Sequence, residues 1–423
     1  MENYVFGALY EGLEDINKSK KVNNIVNRAY KRYLNDEKNE IKNLGINYKN
    51  DVEKRLLELV CNLTNEYVYR NKIEEKTYKG IESILSNDVK KISENLLLYL
   101  EMFLLCSGLY ELAYKVREVN NLKKIGRYEK NGKVSVKDVM PLFWAYIEKR
   151  DYQKSVEIFD KAGKCARRYL DKEIKFLKSV LKGKLEDKIV SNSSQEDALF
   201  GDLVRGKRIL VIGPAENGVD IEEYISEHDV IISMIYRGNL EANIQGKTHI
   251  SYYSNLACRK MDENKEFLAD LDMAVFKRVE HDFQKEMIES GNARECHGFK
   301  MKKAEIPEEM KVMMLYSYLC APNLLQVILI DLLLFKPEKI TVVNTNLFLA
   351  VKRYNSKYKV EGTKQGNKSF RRSFALHNMI NMFQLTKLLV DNNLVEVDSV
   401  CKSILDNGTL NYVKEMQKLE TFK

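Results

Sequence analysis

Apolar residues follow one rhythm in the first part of the chain and another in the second. Up to about residue 185 they recur at steps of three and four, as at Leu96, Leu100, Phe103 and Leu104. This spacing puts the apolar side chains on one face of a helix. The first proline is Pro141, so the punctuation that separates strands is missing here. The pattern predicts that this part of the chain is all α.

Two segments of the helical part resemble each other. They are LLCSGLYELAYKVREV (104–119) and YIEKRDYQKSVEIFDKA (146–162). In each, a helix end and a short corner precede a tyrosine and, three positions later, a small residue: Tyr110 with Ala113, and Tyr152 with Ser155. A small residue lets two helices pack closely, so the segments resemble the turn and second helix of a tetratricopeptide-like repeat. An ordinary helical bundle is the alternative. In either case we expect this half, which contains no histidine, to bind a partner, an acceptor or a second subunit.

From Lys207 the pattern changes to short, continuous apolar runs separated by helical segments. The runs are RILVIG (208–213), DVIISMI (229–235), THISYYS (248–254), MAVFK (273–277) and KITVVNT (339–345). Such runs are typical of strands buried on both faces of a parallel sheet. We therefore predict a Rossmann-like, doubly wound, mostly parallel α/β domain over 207–423. A helical interaction domain over 1–190 precedes it, and residues 191–206, which are rich in Ser, Asn and Gly, are the predicted linker.

Composition and charge limit the class of protein, its partners and its cellular compartment. The chain has 423 residues, of which 44% are hydrophobic and 31% charged, the balance of a folded protein. The net charge of +8 comes from basic and acidic residues mixed along the chain, so no nucleic-acid partner is expected. Seven dispersed cysteines without a CxxC pair indicate reduced thiols and a cytoplasmic protein. The N-terminus does not resemble a signal peptide, and the apolar stretch 324–335 is too short to span a membrane and contains Asp331, which leaves open only peripheral contact with a membrane.

Polar residues follow several of the predicted strands, at the edge where parallel α/β sheets bind ligands. The first strand is followed by a turn of Gly213, Pro214, Ala215, Glu216 and Asn217. Its glycine permits close approach of a ligand, and a helix start over 220–223 offers free N–H groups, although a plain strand-to-helix corner is the alternative. The other polar candidates at strand ends and helix starts are Ser233, Ser254, Asn255, Asn323 and Asn346. Neutral hydroxyls and amides suit a nucleotide base, a ribose or a sugar.

The turn and the block LLFKPEKITVVNTN (333–346) resemble a known enzyme family. They are similar to the bacterial sialyltransferases of Campylobacter-type lipooligosaccharide synthesis and to the related Maf-type flagellin glycosyltransferases, over roughly residues 206–400. The resemblance implies inverting transfer of a sialic-acid-like sugar from a CMP-linked donor to a protein acceptor or a glycan such as a bacterial surface glycan. It implies His377 as general base, and Tyr354, helped by Tyr358, as the stabiliser of the leaving phosphate. The sequence departs from the family by having Ala215, Asn346 and Phe348 where the relatives have Ser, Asp and Tyr.

Other motifs leave alternatives open. The basic stretch 352–372 fits nucleic-acid binding or a lid over phosphates, and its position between Tyr354 and His377 favours the lid. The Asp270-Leu271-Asp272 motif resembles a cation-binding DxD but precedes a strand, so we interpret it as an acid pair at a helix end. The mechanism requires no metal and no cofactor beyond the donor. Two other functions fit the sequence: a pterin pyrophosphokinase-like enzyme, and a non-catalytic scaffold with a degenerate transferase domain. A homo-oligomer is a further possibility.

Overall fold

A computed structural model gives the fold. It describes residues 47–70, 73–134, 138–162, 174–184, 194–238, 244–254, 258, 266–277, 279, 281–296, 323–349 and 378–421. Over these ranges the protein is mixed α/β, with helices around a seven-stranded sheet in which every neighbouring pair of strands is parallel.

Helices make up the described residues that precede the sheet. They are α1 (Asp51–Arg70), α2 (Glu75–Asn87), a short 3-10 turn (Val89–Lys91), α3 (Glu94–Cys106), α4 (Tyr110–Asn131), α5 (Val139–Glu148) and α6 (Tyr152–Lys161). Residues 174–181 are also helical. Their apolar faces form one buried core, as the three-and-four spacing predicts.

The two repeat-like segments both fold as helix hairpins, α3 with α4 and α5 with α6. The side chain of Asp151 accepts a hydrogen bond from the backbone N–H of Lys154, 3.1 Å away, and so begins α6. Ala113 and Ser155 are fully buried, as expected of small residues between closely packed helices. The tetratricopeptide-like assignment stays a prediction.

The sheet contains the five predicted strands and two short ones that the pattern does not reveal. The strands are β1 (Arg208–Ile212), β2 (Val230–Met234), β3 (Thr248–Tyr253), β4 (Met273–Phe276), β5 (Ala293–Glu295), β6 (Lys339–Val343) and β7 (Glu396–Val397). Their order across the sheet is β5-β4-β3-β2-β1-β6-β7. The chain therefore moves outward from β1 to β5 and then crosses back to place β6 on the free side of β1.

Helices cover both faces of the sheet. The helices of this part of the chain are α7 (Gln195–Val204), α8 (Ile221–Glu227), α9 (Asp282–Glu289), α10 (Leu324–Leu334), α11 (Met379–Asp391), α12 (Ser399–Asp406) and α13 (Gly408–Thr421). Successive strand residues alternate between the faces. Ile209 and Val211 of β1 join the large core that the helical half also forms. Leu210 of β1 and Ile231 of β2 lie on the opposite face with Ile225 of α8.

Helix α7 lies inside the segment predicted to be a linker. Ser194 caps it by accepting a hydrogen bond from the backbone N–H of Asp197 at 3.2 Å. Phe200 and Val204 are fully buried in the large core. The serine that suggested a loop is thus a helix cap, and residues 195–204 are packed structure rather than a free connection.

The helical half and the sheet are packed against each other. Helix α13, near the end of the chain, lies on α4, where Gln417 accepts a hydrogen bond from the backbone N–H of Tyr110 at 2.7 Å and donates one to the carbonyl of Gly108 at 2.9 Å. The division at residues 191–206 stays a prediction, and the core is continuous across it. None of the helices in the described ranges has the length and apolar character needed to cross a membrane.

Candidate functional site

The strand order points to one crevice at the carboxyl edge of the sheet. The connections run in opposite directions from β1 and from β6, so the strand order reverses between these two adjacent strands. In open α/β sheets ligands bind outside the carboxyl ends of the strands at such a reversal point. The loops concerned are residues 213–220 after β1 and 344–349 after β6, and both contain predicted site residues.

Gly213 is required by the contact between these two loops. Its backbone N–H donates to the carbonyl of Val343 at 2.8 Å. A Cβ at position 213 would lie 2.9 Å from the carbonyl carbon of Asn344 and nearer still to its oxygen. The close approach that we predicted this glycine would allow is therefore an approach to the end of β6, and no side chain fits between the two strands.

A substitution tests this contact. We expect Gly213→Ala to reduce the free energy of unfolding by about 1–3 kcal/mol, because backbone atoms of Asn344 must move to admit the methyl group. Gly126→Ala is the control: the glycine lies inside α4 with no atom within 4 Å of an added Cβ, so alanine should stabilise the helix by up to about 1 kcal/mol. Urea unfolding of both variants measures the difference. Equal effects would contradict the close packing.

The rest of the first turn also contacts β6 and β7 rather than projecting away from the sheet. Ala215 is buried, and its N–H donates to the carbonyl of Asn344 at 2.9 Å. The amide of Asn217 donates to the carbonyl of Thr345 at 3.0 Å and to the carboxylate of Asp398 at 3.4 Å. Pro214 is half-buried and Glu216 is exposed. The turn thus forms one wall of the crevice.

The helix start after this turn differs from the prediction. The side chain of Asp220 caps α8 by accepting a hydrogen bond from the backbone N–H of Glu222 at 3.0 Å. Glu222 and Glu223 add two more carboxylates to the first helical turn. Negative charges already occupy the positive end of the helix dipole, so the N–H groups expected to be free for a phosphate are a poor site for one.

Asn344 is the most unusual residue at the crevice. Its φ of 55° lies in the left-handed region, which asparagine tolerates better than most residues. It is 8% exposed, and its side-chain Oδ1 has no hydrogen-bond partner among the described residues. The backbone N–H of Asn344 donates to the carboxylate of Asp398 at 2.7 Å. Ile235, just after β2, also has a positive φ, of 57°, and β2 lies on the other side of β1 from β6.

Sequence reasoning missed Asp398. Its carboxylate accepts hydrogen bonds from the backbone N–H of Asn344 and, through the other oxygen, from that of Cys401 at 2.8 Å, where it caps α12. The signal available in the sequence was the Asp-Ser pair at the start of a helical pattern, which indicates a cap. The second contact, to the end of β6, depends on the packing of distant segments.

Asn346 stabilises its own loop. Its Oδ1 accepts a hydrogen bond from the backbone N–H of Phe348 at 3.1 Å, and its carbonyl accepts one from Leu349 at 2.8 Å. Phe348, which stands where the related enzymes carry a tyrosine, is partly buried against the large core. The loop after β6 is therefore held in a compact turn beside the crevice.

Ser233 lies on a buried face of the sheet. Its Oγ is 3.0 Å from Nε2 of His249, and the two residues are only 6% and 2% exposed. Burial lowers the pKa of His249, so the imidazole is neutral near pH 7. Ser254, at the end of β3, is half-buried, and its carbonyl accepts a hydrogen bond from the N–H of Cys258 at 3.1 Å.

Asn323 connects two helix starts. It precedes α10, and its side-chain amide donates to the sulfur of Met379, the first residue of α11, at 3.5 Å. Because α10 leads into β6 and α11 leads away from it, both helices begin at the carboxyl edge of the sheet. Asn378 caps α11 directly after His377. His377, Tyr354, Tyr358, Asn255 and the basic stretch 352–372 lie outside the described residues.

The aspartates of the DxD-like motif lie near the other edge of the sheet. A 3-10 helix ends at Asp270, as interpreted from the sequence, and β4 begins three residues later. Asp272 accepts a hydrogen bond from the backbone N–H of His249, near the beginning of β3, at 2.7 Å. Asp270 accepts one from the hydroxyl of Tyr236 at 3.0 Å. Within the described ranges no group of three or more His, Cys, Asp or Glu side chains is placed to hold a metal ion.

The fold and site together define a mixed α/β protein with an all-parallel sheet whose strand order reverses between β1 and β6. Comparison with protein-family models, with curated proteins and with solved structures finds no match to this chain.

Proposed function

We propose that the protein is a glycosyltransferase with a Rossmann-like domain, which transfers a sialic-acid-like sugar from a CMP-linked donor to a glycan or protein acceptor. The observation that carries the proposal is the unsatisfied amide of Asn344 at the crevice between β1 and β6. A buried acceptor without a partner costs about 1–3 kcal/mol, and a ligand that donates a hydrogen bond would recover it. Cytosine carries such a donor in its exocyclic amino group.

Backbone strain at the carboxyl edge of the sheet also supports a ligand site at this edge. Ile235 and Asn344 occupy the left-handed region at the ends of β2 and β6. A β-branched residue in this region is costly, and such strain is concentrated at functional sites. The Gly213 turn and Asn217 wall the crevice on the β1 side, and Asn346 holds the loop on the β6 side. Neutral groups of this kind suit a nucleoside better than a bare phosphate.

The remaining roles follow from the resemblance in the sequence. His377 is the general base that takes the proton of the acceptor hydroxyl, and Tyr354 with Tyr358 stabilises the leaving phosphate. The nucleotide-sugar donor is also bound by Ser254, Asn255 and Asn323. Ser233 is not part of this set, because its hydroxyl is bonded to His249 on a buried face of the sheet. The buried free thiols fit a reducing compartment, and we assign the protein to the cytoplasm.

The pyrophosphokinase alternative receives less support from the crevice. Transfer of pyrophosphate needs carboxylates that hold magnesium at the strand ends. Asp398 is the carboxylate that contacts the end of β6, and both of its oxygens already accept backbone N–H groups. Moving them to a metal would uncap α12 and break the contact with Asn344.

Donor binding and turnover test the proposal. We expect CMP to raise the melting temperature of the full chain, with a stabilisation of about 2.7 kcal/mol at one hundred times its Kd. A panel of CMP-sugars should yield free CMP, and His377→Ala should slow this release by about 10²–10⁴-fold while CMP still binds. Absence of both CMP binding and CMP release would refute the transferase and favour the scaffold.

A matched pair of glycine variants examines Asn344. Asn344→Gly removes the amide but keeps the left-handed backbone, so it should weaken CMP binding at least tenfold without loss of stability. Asn393 has the same backbone conformation, with a φ of 56°, in an exposed turn after α11. Asn393→Gly should therefore leave CMP binding unchanged. Equal Kd values for the two variants would remove Asn344 from the site.

A further inference from the structure

A second concave site lies away from the crevice, where the helical half meets α11 and α13. This groove measures about 140 Å³, and its lining includes Tyr114, Glu148, Arg150, Gln384, Lys387 and Leu410. An apolar cavity of about 150 Å³ holds one benzene ring, whereas pockets for whole small-molecule ligands run from about 300 Å³ upward. The groove is therefore of the size to take one side chain, and it is too small for a nucleotide sugar.

Three of the four charged side chains that line the groove form ion pairs with described residues. Glu148 receives hydrogen bonds from Arg117 at 2.6 Å and from the amide of Asn121 at 2.9 Å. Lys387 is paired with Asp391, which also lines the groove, at 2.9 Å. Arg150 is exposed and forms no ion pair with another described residue. The guanidinium of Arg150 is thus available to an anion.

The lining of the groove includes hydrogen-bond donors. Gln384 is 4% exposed, and its Oε1 accepts a hydrogen bond from Arg117 at 3.3 Å. Because arginine only donates, this contact orients the amide and identifies the other atom as Nε2, which has no partner among the described residues. Burial, reinforced by the charge of Glu148, raises the pKa of Tyr114, so its phenol keeps its proton. Both groups favour a ligand that accepts hydrogen bonds.

The rim of the groove adds apolar surface beside the charge. Leu410 is 47% exposed and Tyr152 is 36% exposed, an unusual degree for large apolar side chains of this protein. The two residues come from α13 and α6, on either side of the groove. An occupant with an acidic side chain next to an apolar one would satisfy the donors and cover the rim.

We propose that this groove is a docking site for an acidic peptide segment of a partner protein, whose carboxylate binds Arg150 and the amide of Gln384 while an adjacent apolar side chain covers Leu410 and Tyr152. Gln384 and Lys387 lie on α11, about 8–12 Å along the helix from its first residue, Met379. The docking site is therefore separate from the carboxyl-edge crevice. It stands whether or not the protein is a transferase.

Small peptide probes test the docking site on the full chain. The acidic probe is N-acetyl-leucyl-glutamate, and the neutral probe is the corresponding glutamine peptide with an amidated end. Ligand-observed NMR titration should give a Kd at least tenfold lower for the acidic probe. Arg150→Gln should abolish this preference, because glutamine carries no charge. The backbone at position 150 keeps its positive φ in both proteins, so its strain is the same. Lys149→Gln, at the adjacent exposed cation, is the matched control and should keep the preference.

Three outcomes would overturn the proposal. The first is equal affinity for the two probes, and the second is an acid preference that survives in Arg150→Gln while the melting temperature of that variant matches the parent. The third is displacement of the acidic probe by free N-acetylneuraminic acid at a lower concentration than the probe itself requires, which would assign the groove to an acidic sugar instead. CMP binding, measured in parallel, should be the same in all variants.

Discussion

Replacing Arg294 by methionine is expected to cost about 3–5 kcal/mol of stability, because it leaves two aspartates buried without a cation. Arg294 lies on β5 and is 1% exposed. Its guanidinium donates to Asp197 of α7 at 3.1 Å and to Asp331 of α10. It also lies over the ring of Phe200, with 3.9 Å between the guanidinium carbon and the ring centroid.

Two further variants separate charge from size. Combining Arg294→Met with Asp197→Asn and Asp331→Asn removes the uncompensated charges, so most of the lost stability should return. Arg208→Met is the matched control, since Arg208 is 44% exposed and pairs loosely with Asp229 at 3.7 Å; its loss should cost less than about 1 kcal/mol. Urea unfolding at pH 7 measures all three. A loss under 1 kcal/mol in Arg294→Met alone would show that the buried charges are compensated in some other way.

Replacing Arg117 by methionine should cause a loss of similar size, about 3–5 kcal/mol, and loosen the contact between the helical half and α11. Arg117, on α4, is 5% exposed. It donates to Glu148 at 2.6 Å, to Glu101 at 3.2 Å and, across the two halves, to the amide oxygen of Asn381 at 2.6 Å. Since α11 begins just after His377, CMP binding should weaken as well.

The pH dependence of this variant follows from its carboxylates. Burial already raises the pKa of Glu101 in the presence of Arg117, and the loss of the cation should raise it further. A carboxyl group whose pKa is higher in the folded state than in the unfolded state stabilises the fold when protonated. The destabilisation should therefore be largest at neutral pH and shrink as the pH falls toward about 4.3.

The control for Arg117→Met lies on the same helix, α4. Arg127→Met removes a residue that is 41% exposed and that pairs with Glu94 at 3.1 Å and Asp138 at 2.9 Å. Glu94 and Asp138 are 18% and 9% exposed, but the guanidinium of Arg127 is partly in water, so the loss should be smaller than in Arg117→Met. Unfolding curves at pH 7 and pH 5 compare the two variants. A destabilisation by Arg117→Met that does not change with pH would contradict the role given to Glu101.

The apolar pattern of the sequence predicts the five main strands but not β5 and β7, the two strands at the edges of the sheet. Runs such as RILVIG and KITVVNT identify β1 and β6 because both faces of these strands are apolar. β5 has the sequence Ala-Arg-Glu and shows no apolar run. Arg294 can be buried there only because Asp197 and Asp331, distant in sequence, meet it in the fold. Long-range charge pairing of this kind leaves no periodic signal.

The helix α7 was missed for a different reason. The Ser and Gly content of 191–206 predicts a loop, whereas Ser194 is the cap that begins the helix. The acidic residues of its first turn, Glu196 and Asp197, are also typical of a helix start. Local capping chemistry therefore carried the information, and composition obscured it.

The sequence predicts at which edge of the sheet the candidate site lies, but it does not predict the contacts between the residues of the site. The rule for parallel sheets directs attention to the carboxyl ends of β1 and β6, where the strand order reverses. It cannot show that Gly213 is needed by the backbone of Asn344, because that contact joins segments about 130 residues apart. Nor does a strand-end serine reveal which face it is on. The partner of Ser233 is His249, on the adjacent strand β3.

The reversal of strand order also bears on how the protein comes to be folded. Ile209 of β1 pairs with Val230, about 20 residues further along the chain, and on its other side with Ile340, about 130 residues further. Closing the longer loop costs roughly 1.6 kcal/mol more in chain entropy. A ribosome-bound chain can therefore form the β1–β4 ladder long before β6 has been synthesised. The crevice, which needs both Gly213 and Asn344, is among the last parts of the molecule to assemble.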